Sequence, residues 1–260
     1  MRIFFLLFCV FAGCSQKSEL VTLPASHTPT EVQKAQRTRT AEFDELVGRG
    51  VVEFHWTDDS GNHREQGDLD FWKQGDTISL RVSKLGELLL WFGGDKNEHW
   101  LFDMLGDETS LTFDGNNGMF SDIATALVLL GLAPLPNGSM KIEKGVVILV
   151  DTNGNDWAAT FDPISHRPLE MSVRSGEDVS SALHRKGIQV ELANTHEIYW
   201  PMTGGLIDVT DTRGDTEIKI AFSSLSTIVE DEPMGRVLDS AYLRKALNPD
   251  VVYQKVNEDD

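Results

Sequence analysis

From Val51 to Phe222, apolar side chains recur at every second position in short runs separated by Gly- and Asp-rich turns. Val52, Phe54 and Trp56 alternate with Val51, Glu53 and His55. Leu69 and Phe71 alternate with Asp68, Asp70 and Trp72. Ile78, Leu80 and Val82 alternate with Thr77, Ser79, Arg81 and Ser83. Successive strand side chains point to opposite faces, so this period predicts half-buried antiparallel strands. Leu88 to Phe92 is apolar at every position, which predicts a strand covered on both faces. Trp100 and Phe102, then Leu111 and Phe113, continue the series. The separators Asp58-Asp59-Ser60-Gly61, Gly75-Asp76, Gly93-Gly94-Asp95 and Gly106-Asp107 predict hairpin connections.

The alternation pauses at Ser121. With Ser121 as N-cap, Ile123, Ala124, Leu127, Val128 and Leu130-Gly131 predict a short helix ended by glycine. A helix apolar nearly all round belongs inside the fold. Strands are expected again at Lys141 to Val150, Trp157 to Asp162, Leu169 to Arg174, Ile188 to Leu192, Ile198 to Trp200, Leu206 to Val209 and Glu217 to Phe222. Asn153-Gly154 and Arg213-Gly214-Asp215 are read as hairpin turns. Thr30 is the expected cap of a helix from Glu31 toward Val47, and a last helical turn is expected from Asp239 to Asn248-Pro249. About a dozen strands with one shared apolar face must close, stack or wrap something. The buried helix inserted mid-series favours wrapping. The expected fold is mainly β (α+β): a curved antiparallel half-barrel of about a dozen strands around two or three helices.

The N-terminus sets the compartment. Arg2, an apolar run from Ile3 to Phe11 and then Ala12-Gly13-Cys14 read as a secretory signal over 1–13. The cysteine after Phe11-Ala12-Gly13 resembles the bacterial lipobox, which implies cleavage before Cys14 and its acylation. Ser15, where retained lipoproteins of the enterobacterial type carry aspartate, then implies the outer membrane, facing the periplasm. Residues 14–30 read as the lipidated N-terminus and a Ser/Thr/Pro/Gln tether, and 31–260 as one domain. Both cysteines, Cys9 and Cys14, lie in this leader, so the body has no disulfide and no thiol chemistry. A formal net charge of −18 argues against nucleic acid and against docking on anionic headgroups.

A lipobox, a tether, an N-terminal helix and a long curved sheet around helical plugs resemble the LolA/LolB lipoprotein-carrier superfold. The segments Gly75-Asp76-Thr77-Ile78-Ser79-Leu80-Arg81-Val82-Ser83-Lys84-Leu85-Gly86 and Glu98-His99-Trp100-Leu101-Phe102-Asp103 are similar to those of uncharacterised bacterial lipoproteins of that architecture. The resemblance implies a non-enzymatic protein that binds or shuttles acyl chains. It carries no functional residue onto this chain.

Candidate chemistry is sparse. Asp151-Thr152-Asn153-Gly154-Asn155-Asp156, with Asp162 twelfth, has calcium-loop spacing but strands rather than helices around it, so a hairpin turn is expected. His55 and His63 flank one turn and lack a third firm metal ligand. No nucleophile motif or phosphate loop is present, so no catalytic residue, metal or cofactor is assigned. The ligand-cavity candidates are Trp56, Phe71, Trp100, Phe113, Trp157 and Phe161, all expected on the apolar strand face. The alternative reading is a structural or protein-interaction lipoprotein whose core is packed and holds no ligand.

Overall fold

The computed structural model describes residues 27–58, 61–105, 108–114, 122–193, 201–212, 216–229 and 231–253. Cys14 with the whole leader, Ser121, the segment 194–200 and the Arg213-Gly214-Asp215 turn lie outside them. Helix α1 spans Pro29–Thr40. It is followed by β1 (Glu45–Asp58), β2 (Gly61–Gln74), β3 (Thr77–Lys84), β4 (Glu87–Gly94), β5 (His99–Asp103) and β6 (Ser110–Phe113). Helix α2 (Ile123–Leu129) separates these from β7 (Gly138–Glu143), β8 (Val146–Asp151), β9 (Asp156–Phe161), β10 (Pro168–Ser175), β11 (Asp178–Gln189), β12 (Met202–Asp211) and β13 (Thr216–Ser226). Helices α3 (Asp231–Val237) and α4 (Ser240–Leu247) and strand β14 (Val251–Tyr253) complete the order.

The strands form a single sheet ordered β14-β6-β5-β4-β3-β2-β1-β13-β12-β11-β10-β9-β8-β7. Its end strands β14 and β7 are not paired with each other, so the sheet curves without closing. Pairing of β1 with β13 joins the two meanders across α2, and the sheet is the expected half-barrel. One pairing departs from the antiparallel expectation: β14 runs parallel to β6. A chain arriving from a helix has room for that direction, whereas a hairpin does not.

Several boundaries also differ from expectation. Thr28, not Thr30, caps α1: its hydroxyl accepts from the Glu31 N–H, while the Glu31 carboxylate accepts from the Thr28 N–H. Pro29 then takes the first helical position, where its missing N–H costs nothing. The helix stops at Thr40 rather than near Val47, because Glu45 to Gly50 already pair with β2. Asp122 replaces Ser121 as the α2 cap, accepting from the Thr125 N–H. The expected strand from Lys141 to Val150 is two, β7 and β8, folded at Lys144-Gly145 with both residues at positive φ. The αL cap at Asn248 ends α4 where Asn248-Pro249 predicts it.

The larger correction concerns the apolar face. The main core lies on the inner side of the sheet and joins Leu69, Phe71, Leu80, Phe92, Trp157, Phe161, Ile207 and Ile220 to α2 and to Val32 of α1. A second cluster holds Trp91, Trp100, Phe102 and Leu111, with Trp72 and Phe113 packed against it, under Leu243 of α4. Register assigns it to the outer side: Trp72 pairs through Ser79 and Gly93 to Trp100 and Phe113, one residue out of phase with Phe71, Leu80, Phe92 and Leu101. Strands β4 and β5 are therefore apolar on both faces, with Leu88, Trp91, Trp100 and Phe102 outward and Leu90, Phe92 and Leu101 inward.

Candidate functional site

The inner face is closed by α2. Ile123, Ala126, Leu127, Val128, Leu129 and Leu130 are all buried, and Gly131, at φ +72°, turns the chain out of the helix. A helix end leaves carbonyls without intrahelical partners. Backbone N–H groups of Leu130, Gly131 and Leu132 satisfy Ala126, Val128 and Leu127. The carbonyls of Leu129 and Gly131 are taken by side chains from three other elements. His184 Nε2 on β11 donates to Leu129 O at 2.8 Å. Arg39 Nη1 on α1 donates to Gly131 O at 2.8 Å, and Thr203 Oγ1 on β12 donates to the same oxygen at 3.0 Å.

These polar groups are buried. Arg39 also donates to Gln36 Oε1, through Nε at 3.3 Å and Nη2 at 3.0 Å, and Gln36 Nε2 donates to His166 O at 2.7 Å. Because Leu129 O can only accept, His184 carries its proton on Nε2. Its Nδ1 has no partner among the described residues. Burial pushes the His184 imidazole down to about 3; the hydrogen bond to Leu129 opposes this, and the charges of Arg39 and Arg167 add to it. The ring is therefore neutral wherever the fold is intact above that value. A Cβ on Gly204 would stand 2.0 Å from Nδ1, so only glycine leaves room for the ring.

The structure splits the six aromatic candidates. Phe71, Trp157 and Phe161 pack in the inner core beside α2. Trp100 and Phe113 belong to the outer cluster, and so do not line the inner face with the others. Trp56 keeps the strand phase of Val52 and Phe54 but belongs to neither cluster, and stacks on His63 with ring centroids 5.0 Å apart. Phe71 and Phe161 are at most 1% exposed, which leaves no ligand-sized void against them in this closed form.

The polar candidates resolve into local structure. Trp56 is the cross-strand partner of His63, so His55 points to the opposite face of that hairpin and the two imidazoles cannot share an ion. His55 Nε2 instead meets Glu53 Oε1 at 2.6 Å. The Asp151 carboxylate accepts from the Asn153 and Asn155 N–H groups, from Asn155 Nδ2 and from Trp157 Nε1, and is spent on the hairpin turn. Sequence reasoning did not find Gln36, Arg39, His184 or Thr203. The small pair Gly204-Gly205, whose first member leaves room for the His184 ring, was the available signal.

The geometry defines an open β half-barrel whose inner side is closed by a helical plug. No family model and no curated protein matches the chain in sequence. In three dimensions it is similar to a DUF1329 family protein from Desulfovibrio piger, with a TM-score of 0.51 at 9% identity over 79% of this chain and 96% of that one. It is also similar to a domain from Vibrio parahaemolyticus assigned to outer membrane lipoprotein sorting, with a TM-score of 0.49 at 10% identity over 78% and 94% of the two chains. A LolA superfamily protein from Nitrosomonas europaea gives a TM-score of 0.47 at 10% identity over 84% and 100%.

Proposed function

We propose that this is a lipid-anchored envelope protein that binds the acyl chains of a lipid or lipoprotein on its inner face, without catalysing a reaction. The observation that carries the reading is α2. This seven-residue plug is apolar on nearly every side and, among the described residues, takes no hydrogen bond from the sheet backbone. Among the described residues its polar attachments to other elements run through the carbonyls of Leu129 and, just past its end, Gly131. Moving it outward uncovers a continuous apolar surface from Phe71 to Phe161 while the strands keep their pairing. The lipobox-like Phe11-Ala12-Gly13-Cys14 supports anchoring through Cys14, on the outer membrane and facing the periplasm. Several acyl chains are needed, because one anchors only marginally.

Two experiments test this. The mass of membrane-extracted protein should exceed that of the chain from Cys14, and Cys14→Ser should release it from membranes; a carbonate-resistant Cys14→Ser variant overturns the anchor. Lipid should be recovered from gently purified protein by native mass spectrometry, and a fluorescent fatty-acid probe should bind saturably. Ala159→Trp fills the inner face and should weaken probe binding. Its stability is measured in parallel, since overpacking costs about 1–3 kcal/mol. The near-zero exposure of Phe71 and Phe161 favours the second reading, a packed interaction lipoprotein, and the absence of both lipid and saturable probe binding would overturn the carrier reading and leave this one standing.

A further inference from the structure

A separate pocket of about 450 Å³ opens on the outer face, on the opposite side of the sheet from α2. Its volume is in the range of small-molecule sites, about 300–1,000 Å³. Arg49, Asp70 and Arg81 stand side by side across β1, β2 and β3 and form one wall with Trp72. The other wall is apolar: Ile228 and Val229, which precede α3, and Met234 within it.

Two guanidinium groups share one carboxylate here. Arg81 sends both Nε (3.2 Å) and Nη2 (2.6 Å) to the same oxygen, Asp70 Oδ2. Its Nη1 takes no partner among the described residues. Arg49 reaches Asp70 only by an Nε contact of 3.8 Å, and its side chain is 82% exposed. Among the described side chains the trio carries one net positive charge, on a chain whose formal net charge is −18. Elsewhere on the outer face Arg185 pairs with Asp208, while Glu53 takes Arg64, Lys219 and His55 together. Arg81 is also held in place: its guanidinium lies 5.6 Å from the ring centroids of both Trp72 and Trp91. A donor fixed before binding loses little entropy when an anion arrives. Opposite it, Ile228 leaves an apolar side chain 53% exposed.

We infer that this outer pocket binds an amphiphilic organic anion, its carboxylate or phosphate head on Arg49 and Arg81 and its apolar part against Ile228, Val229 and Met234. A head carrying one charge matches the charge left over by Asp70. The apolar wall excludes a bare inorganic ion as the best occupant.

Methyl spectra of the intact protein with labelled methionine test this, the Met234 signal being assigned with Met234→Leu. Octanoate and octyl phosphate should shift the Met234 methyl saturably, and the tighter of the two assigns the head as carboxylate or phosphate. Octanol lacks the charge and acetate the tail, so both should bind about tenfold more weakly or worse. Arg49→Gln, at an exposed position that leaves the fold intact, and Arg81→Gln should each weaken octanoate by about tenfold. Equal binding of octanol and octanoate overturns the role of the arginines, and equal binding of acetate overturns the apolar wall. An unmoved Met234 methyl, or an Arg49→Gln variant with unchanged affinity, overturns the site.

Discussion

Trp100→Ala is expected to lower the stability of the fold by about 3–5 kcal/mol, the usual range for truncating a buried large aromatic. The indole is 2% exposed and lies directly on β4, where Gly93 is its cross-strand partner. A Cβ on Gly93 would meet the indole Cζ2 at 2.3 Å, so the missing side chain makes the platform on which the ring rests. Phe102 meets the ring edge-on, with centroids 5.6 Å apart. Glycine beneath offers no side chain to refill the space from the β4 side. Chemical denaturation of both proteins measures the difference. A loss within about 0.5 kcal/mol would place the ring outside a packed core. Trp56→Ala is the control: half-buried and outside both clusters, it should cost about 1 kcal/mol or less.

Acidification from pH 6.5 to 4.5 is expected to remove about 2 kcal/mol of stability through His184. Its folded-state value of about 3 lies below the ordinary histidine value of 6.5. Between the two, the unfolded chain binds a proton that the folded chain refuses, so stability rises with pH there. The contribution is complete above pH 6.5 and is lost as pH falls toward 3, at about 1.36 kcal/mol per unit. His166, whose value burial also lowers, acts in the same direction. The carboxylates held low by hydrogen bonds, such as Glu53 at about 2, cost stability only below their ordinary value of 4.5, so the window from 6.5 to 4.5 belongs to histidine. His184→Gln keeps a donor for Leu129 O and removes the titration. Urea midpoints across this window should fall less steeply for that variant, by close to one proton. Parallel slopes for the two proteins would mean that the imidazole is not held neutral against α2.

The strand pattern, the turn residues and the buried helix between two meanders were legible because each is local. Alternation reports strands wherever one face is dry, Gly and Asp mark the turns, and a helix without a polar side has to be buried. Leu88 to Phe92, apolar at every position, announced a strand that is covered on both faces, with Leu88 and Trp91 outward and Leu89, Leu90 and Phe92 inward. Helix α1 was harder to bound. The face it turns to the plug is built on Gln36 and Arg39, and buried polar residues look like solvated ones until their partners are known.

Which face each aromatic occupies was a tertiary decision. Alternation shows that Trp100 and Phe102 share a side, but not whether it is the side of Phe71, because a shift of one residue between β2 and β5 reverses it. Register across three intervening hairpins settled that, and α4, more than a hundred residues downstream, covered the side it chose. The polar groups holding α2 have the same origin. Arg39, His184 and Thr203 come from α1, β11 and β12 and meet at two carbonyls only once the sheet has curved. The sequence by itself determined the strands, their turns and the apolar plug, because local sterics and burial period suffice for those. The tertiary structure alone decided which face is inside and what holds the plug in place, because both depend on contacts between segments far apart in the chain.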